Sequence, residues 1–372
     1  MTNRTKTLFF ITMFTALGCG FLHHIPFDID LNFERLHIFL FNLCTGGTLI
    51  LYFTENEPLV TRKTWLFYFL SLAFAIFSFL EIYLPTLFIP LFLAMIVESV
   101  RVKKYHHVFP KSIFQRDESI AEKFHQASLL CLSLGLIISS LAIPNEIYLQ
   151  ILTIPKLTLN TFFLGYSFPV SLISLSIIFT LMDDVRTVGR DRMKSITFWV
   201  INLGVIIFFL FILAGLIALQ VAISLALFGA VTLVLYLYYH DGAKLQQKAF
   251  LTSGIFFLLI TSVTGIIYIL YVFSASYSPE NTRFILRLHA FTALYGWNLS
   301  GLVVIIRYRD FPLRLHSGSN IFLHWLTVFI LCPIGFFLPY LSIAALGCYG
   351  LLIFNLLFNY GTIDRKLVNW NQ

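Results

Sequence analysis

The feature that most constrains this chain is a succession of apolar runs, most of them long enough to cross a bilayer, separated by short polar stretches. In hydrocarbon, backbone N–H and C=O groups have no water to bond, so only helices or closed barrels can span it. Continuous runs of roughly 18 or more apolar residues, without alternation, mean helices. In order, the runs cover residues 7–24, 36–53, 64–83, 84–100, 124–143, 157–182, 196–216, 217–239, 249–273, 284–306, 321–338 and 340–360. With 58% hydrophobic and 12% charged residues, the chain carries more apolar side chain than a soluble core could hide. The sequence therefore predicts an all-α polytopic membrane protein of about twelve transmembrane helices. Short loops make residues 1–372 a single integral membrane domain. The junctions at Leu84-Pro85 and near Leu216 lack charged loops, so each is either a tight hairpin or one long helix counted twice.

Lys and Arg accumulate in cytoplasmic loops. With the N-terminus inside, 21 of the 25 Lys and Arg residues fall on the inner side, leaving Arg35, Lys156, Arg283 and Arg287 outside. This predicts an even number of crossings, both termini inside and residence in the cell's inner (cytoplasmic) membrane. The net charge of +7 follows from that bias and calls for no nucleic acid. The first run lacks a small-residue cleavage site before its next polar loop and reads as a retained helix. All five cysteines lie in apolar runs with no CxxC spacing, which makes them packing residues. One longer inner loop, about 101–123, is amphipathic and contains the pair His106 and His107. It reads as a basic surface against anionic headgroups.

The pattern RLHxF occurs twice, at residues 35–39 and 287–291, each time opening an apolar run. The second, sixth and tenth runs also fall at similar spacing, with His37, Tyr166 and His289 separated by 129 and 123 residues. That spacing suggests three four-helix units. Both histidines open even-numbered helices, which places them in the same outer half of the membrane. Two neutral imidazoles on different helices at matching depth, with an apolar slot between them, are what a bis-histidine haem iron needs.

His37 and His289 are thus the candidate metal ligands, with His24 as a further candidate on the same side. Gly46 and Gly47, like Gly296 and Gly301, would let a flat macrocycle or a neighbouring helix approach closely. Arg283 and Arg287 could hold haem propionates by paired hydrogen bonds, or ordinary headgroups. For each histidine the competing reading is an interface anchor whose polar edge reaches water, and His324 reads as a packing or interface residue at an inner helix end. No Asp, Glu, Lys or Arg lies deep in any run, which argues against an ion-coupled pump or carrier. A transporter reading is left with an uncharged solute and the deep polar groups Asn42, Asn202 and Asn298.

Three helices resemble the haem-copper oxidase superfamily, in particular the large subunits of C-type cytochrome oxidases and bacterial nitric oxide reductases. The second, RLHIFLFNLCTGGTLILYF, is similar to the family's low-spin haem helix, with Gly46 and Gly47 nine and ten residues after His37. The tenth, LHAFTALYGWNLSGLVVIIRY, resembles the family's His-x-His helix through Ala293, Leu294, Gly296 and Trp297. The eleventh, FLHWLTVFIL, is similar to the family's His-Trp start of that helix.

The resemblance implies a pseudo-threefold twelve-helix fold, a b-type haem on His37 and His289, and respiratory-chain or assembly subunits as partners. Departures from the family pattern limit the chemistry. Tyr166 stands where helix six of the family supplies a copper histidine, helix seven has no histidine, and Phe291 replaces the second histidine of helix ten. No copper is expected, nor oxygen or nitric oxide reduction by the family's mechanism. Counted back from Gly296-Trp297, His289 matches the high-spin haem ligand; paired with His37 it would serve the low-spin haem. The expected function is a single haem in the outer half serving electron transfer, sensing or respiratory assembly. A related resemblance is to the twelve-helix haem-and-copper family of the nitric oxide response. The alternatives are a secondary transporter for an uncharged solute and a cofactor-free structural subunit.

Overall fold

The computed structural model describes residues 1–25, 32–151, 161–182, 187–272, 278–310 and 314–359, and among these every regular element is a helix. The long helices are α1 (Asn3–Phe21), α2 (Phe33–Glu55), α3 (Arg62–Phe79), α4 (Tyr83–Tyr105), α5 (Ile120–Pro144) and α6 (Phe163–Thr180). They continue as α7 (Val188–Leu213), α8 (Ile217–Asp241), α9 (Gln247–Val272), α10 (Glu280–Arg307), α11 (Gly318–Gly335) and α12 (Pro339–Phe358). Ten of these are long and apolar enough to cross a membrane. The other two, α1 and α3, match the first and third apolar runs but are more polar, opening on Arg4 and Lys6 and on Arg62 and Lys63. Both junctions without charged loops are tight hairpins. Glu81 turns the chain between α3 and α4 at φ 57, and Gly215 turns it between α7 and α8 at φ 68. Gly215 suits that left-handed turn because it has no Cβ to clash.

One ionic cluster ties three helix ends together. Arg307, 1% exposed, donates to Leu356 O at 3.0 Å, Leu357 O at 2.5 Å and Asn359 O at 3.2 Å, satisfying carbonyls that the end of α12 leaves open. Its guanidinium lies 3.1 Å from Asp310, which also pairs with Lys6 of α1. The start of α1 and the ends of α10 and α12 therefore share one face of the bundle. On the same face α4 runs on to Tyr105, further than its apolar run suggests. Arg101 there is 2% exposed, paired with Glu98 and donating to Val108 O at 2.6 Å, so this residue of the 101–123 segment is a helix-end clamp and does not face headgroups. The physical reason is that α4's last turn needs a donor for the carbonyls of the turn that follows it.

Burial separates the helices into a centre and a periphery. The most apolar stretches of α2, α6 and α10 are 83%, 72% and 83% buried, against 22%, 17% and 28% for α7, α8 and α9. The three central helices are those that carry His37, Tyr166 and His289. Each also contains a π-wound stretch: Phe39–Gly47, Phe163–Ser167 and Thr292–Asn298. Glycines bring them close to their neighbours, as small residues do between membrane helices. A Cβ on Gly165 would stand 2.6 Å from the Gly135 Cα of α5, closer than van der Waals contact allows, whereas one on Gly229 of α8 would meet nothing within 4 Å. We expect Gly165→Ala to cost about 1–3 kcal/mol of stability through overpacking. Gly229→Ala should leave the melting temperature in detergent unchanged or raise it slightly, so similar melting of the two variants would contradict this packing.

Candidate functional site

Both RLHxF copies lie in capped helices, the first in the opening turn of α2 and the second about two turns into α10. The Asn32 side chain accepts from Arg35 N at 2.8 Å to start α2, and the Ser278 hydroxyl accepts from Asn281 N at 3.1 Å before α10. The copies are joined directly, because Glu34 beside the first pairs with Arg287 of the second at 3.0 Å. Arg287 also lies over the Phe336 ring of α11 at 4.2 Å, and Arg283 lies over the same ring at 5.9 Å. Arg35 reaches Ser78 O at 3.4 Å and Glu146 at 3.6 Å. His24 Nε2 is 2.8 Å from Gly335 O.

The two imidazoles turn to different neighbours. His289 Nδ1 donates to Thr261 O at 2.9 Å and lies 3.4 Å from the Thr264 hydroxyl, both on α9. Gly265 makes room for the ring, since a Cβ there would stand 3.2 Å from His289 Cε1. With Nδ1 carrying the proton, Nε2 keeps its lone pair. The ring lines a cleft of about 240 Å³ whose walls come from α6 (Ser171, Leu175), α7 (Val205, Phe208), α8 (Leu227) and α9 (Ser262). His37 packs instead against Gly20 of α1 and lies 6.4 Å, ring to ring, from Tyr295 of α10. Its Nδ1 is buried without a hydrogen-bond partner.

Phe291, two residues after His289, points to the His37 side, stacking with Phe21 at 6.0 Å and lying 6.0 Å from Tyr295. Thus α10 stands between the two histidines, and they share no described neighbour.

Asn42 and Asn298 meet directly, with 3.3 Å between Asn298 Nδ2 and Asn42 Oδ1.

Other predicted residues fall as follows. Gly46 faces Val170 of α6 and Gly47 faces Phe67 of α3, so protein side chains lie against both. Asn42 and Asn298 belong to a buried polar hub: Asn298 Nδ2 also donates to Ser167 Oγ at 3.2 Å, Ser171 Oγ donates to Asn298 Oδ1 at 2.9 Å, and Trp297 Nε1 donates to Ser171 Oγ at 3.0 Å. Asn202 is on peripheral α7, apart from that hub, with its Oδ1 unpaired. Tyr166 donates to Ser139 Oγ at 2.6 Å.

His324 takes the packing role that its sequence context suggests: it is 0% exposed, its Nε2 donates to Tyr295 O at 2.7 Å, and its ring lies between Phe250 at 5.8 Å and Phe257 at 4.7 Å. Among the described residues, no group of three or more His, Cys, Asp or Glu side chains could hold a metal ion.

Comparison of the chain with protein-family models, curated proteins and solved structures finds no match.

Removing the hub's centre should be costly. Asn298→Leu would leave buried partners on two other helices short of a bond, at about 1–3 kcal/mol. Asn202→Leu removes a side chain whose carbonyl is already unpaired, and should be neutral or stabilising. Thermal unfolding of both variants in the same detergent checks the contrast, and equal losses would contradict it.

Proposed function

We propose that this is a helical membrane protein binding one haem through His289, in the cleft walled by α6, α7, α8 and α9. Its role would be electron transfer, gas or haem sensing, or respiratory-complex assembly. The observation that carries this reading is the state of His289. A backbone carbonyl holds its Nδ1–H, which fixes the tautomer and ring orientation as it does for most metal-bound histidines, and the ring borders an apolar cleft. Haem bound there would supply an iron able to exchange an electron or take a sixth ligand.

His289 and the apolar walls of the cleft suit a haem. They fit the carboxylate edge less well, because Arg283 and Arg287 lie over Phe336 of α11, whereas His289 turns to α9. The cleft is also below the usual size of a cofactor pocket, so half-buried rim residues such as Phe208 must turn aside on binding. In the register of the haem-copper oxidase resemblance, His289 takes the high-spin place. Phe291 takes the second histidine's place on the flank where His37 lies, which is why we assign the iron to His289 alone. Cleft residues contributed by α6 and α7, such as Phe168, Ser171, Ile201 and Val205, offer no copper ligand, so copper is left out of the reading.

The proposed setting is about twelve helices in three four-helix units within the inner membrane. The face bearing Arg307 and Lys6 would be cytoplasmic, on the strength of the Lys and Arg bias. The partners would be respiratory-chain or assembly subunits. A second reading, binding or transport of an uncharged apolar solute from the bilayer, is favoured by the cleft's largely hydrocarbon lining on the least buried helices.

Absorption spectra of protein made with ample haem test the proposal. We expect a Soret band that is lost in His289→Ala and kept in His37→Ala. Loss in both variants would restore a shared iron, whereas no band in wild type would sink haem binding and leave the apolar-solute reading.

A further inference from the structure

Five buried polar atoms without a hydrogen-bond partner lie on α2, α10, α11 and α12. They are His37 Nδ1, Tyr295 Oη, Tyr349 Oη, His324 Nδ1 and Thr327 Oγ1. Tyr295, Tyr349, His324 and Thr327 are all 0% exposed. Contacts join four of these residues: the His37 and Tyr295 rings are 6.4 Å apart, those of Tyr295 and Tyr349 are 5.3 Å apart, and His324 Nε2 bonds Tyr295 O. Thr327 follows His324 by three residues, on the same helix. Because Nε2 carries the His324 proton, its Nδ1 is an acceptor, while both phenols can donate and accept. In a membrane interior an unpaired polar atom is costly, and groups this buried are nearly always paired with protein or ordered water.

A second observation comes from the backbone. Three of the four helices are π-wound beside this cluster, over Phe39–Gly47, Thr292–Asn298 and Leu326–Leu331. Such segments often occur where a site interrupts regular winding, and water inserted into a helix ladder is one recognised cause of distortion. The lining has no charge, so it does not suit an ion. It offers two imidazole nitrogens and three hydroxyls, which complement a small neutral molecule that both donates and accepts.

We propose that His37, Tyr295, Tyr349, His324 and Thr327 form an internal water-binding site in the middle of the bundle, shared by α2, α10, α11 and α12. Bound water bridges the hydroxyls and imidazoles that the protein leaves unpaired, and so holds α11 and α12 to α10. Water suits the site because each molecule can serve two to four polar partners at once. This inference does not depend on haem binding, since none of these five residues lines the His289 cleft.

The test is X-ray radiolytic footprinting of the whole protein in detergent. Radicals formed from bound water oxidise adjacent side chains that bulk solvent cannot reach. Tyr166 is the internal control, being equally buried but bonded to Ser139. We expect Tyr295 and Tyr349 to be oxidised several-fold faster than Tyr166, with slow incorporation of ¹⁸O after dilution into labelled water. Tyr349→Phe should slow oxidation of Tyr295 and lower the melting temperature, because a hydrated hydroxyl is lost. Oxidation of Tyr295 and Tyr349 no faster than Tyr166 overturns the proposal whatever the variant's stability. A higher melting temperature for Tyr349→Phe also overturns it, because removing a dry, unpaired hydroxyl stabilises.

Discussion

The contact among Asn42, Ser167, Ser171 and Asn298 lies where the three most buried helices meet, and the rest of the bundle is arranged around it. Lipid tails are as apolar as leucine, so side-chain hydrophobicity cannot say which helix belongs at the centre. A polar group can, because in hydrocarbon it must find a partner on another helix or remain unpaired at considerable cost. Asn298 bonds groups on α2 and α6 at once, and Trp297 reinforces it through Ser171. Glycines then determine how closely these helices approach, as where Gly46 admits Val170 and Gly301 lies against Ser174. Peripheral helices such as α7 and α8 carry few such groups and remain largely exposed on their outer faces.

Much of this is legible in the sequence, and what is not has a physical cause. Helix number and position follow from apolar runs, since length and polarity alone decide what can cross a bilayer. Hence, among the described residues, the long helices coincide with the apolar runs within a few residues at most ends, ten of them being long and apolar enough to cross, and α7 departs furthest because the polar stretch before its apolar run is also helical. The repeated RLHxF pattern correctly marks two of the three central helices. The direction in which a side chain points is not legible in the same way. It depends on which neighbour a helix presents at that height, and no local pattern encodes that. His37 lies beside α1 and His289 beside α9, although five-residue stretches of near-identical sequence surround them.

The π-wound stretches add to this loss of legibility. A π turn inserts a residue and rotates everything beyond it relative to ideal α-helical spacing. In α2 the wide stretch begins two residues after His37, and in α10 it begins three residues after His289. Residues on one face by a 3.6-residue count therefore need not stay on one face in the folded chain. His324 illustrates the consequence. From sequence it is a histidine near a helix end among aromatic residues, yet folding buries it fully and bonds it to the backbone of α10 within the π-wound stretch.

The separation of the two flanks of α10 follows from the same geometry. Residues 289 and 291 project from nearly opposite sides of a helix, because two positions correspond to about 200° of rotation. One side carries His289 toward α9 and the cleft; the other carries Phe291 toward α1 and the neighbourhood of His37 and Tyr295. A histidine at 291 would therefore face the His37 side, and the phenylalanine there is what leaves His37 without an imidazole opposite it. The pairing of Glu34 with Arg287 holds the two RLHxF copies together at their ends but cannot turn their rings toward each other, because a salt bridge between long side chains fixes proximity and leaves azimuth to the packing below it. The repeat thus places two imidazoles near the same end of two central helices, and the neighbours packed around each helix commit them to separate sites: α10 offers α9 a histidine and offers α1 an aromatic ring, whereas α2 offers its own histidine to α1.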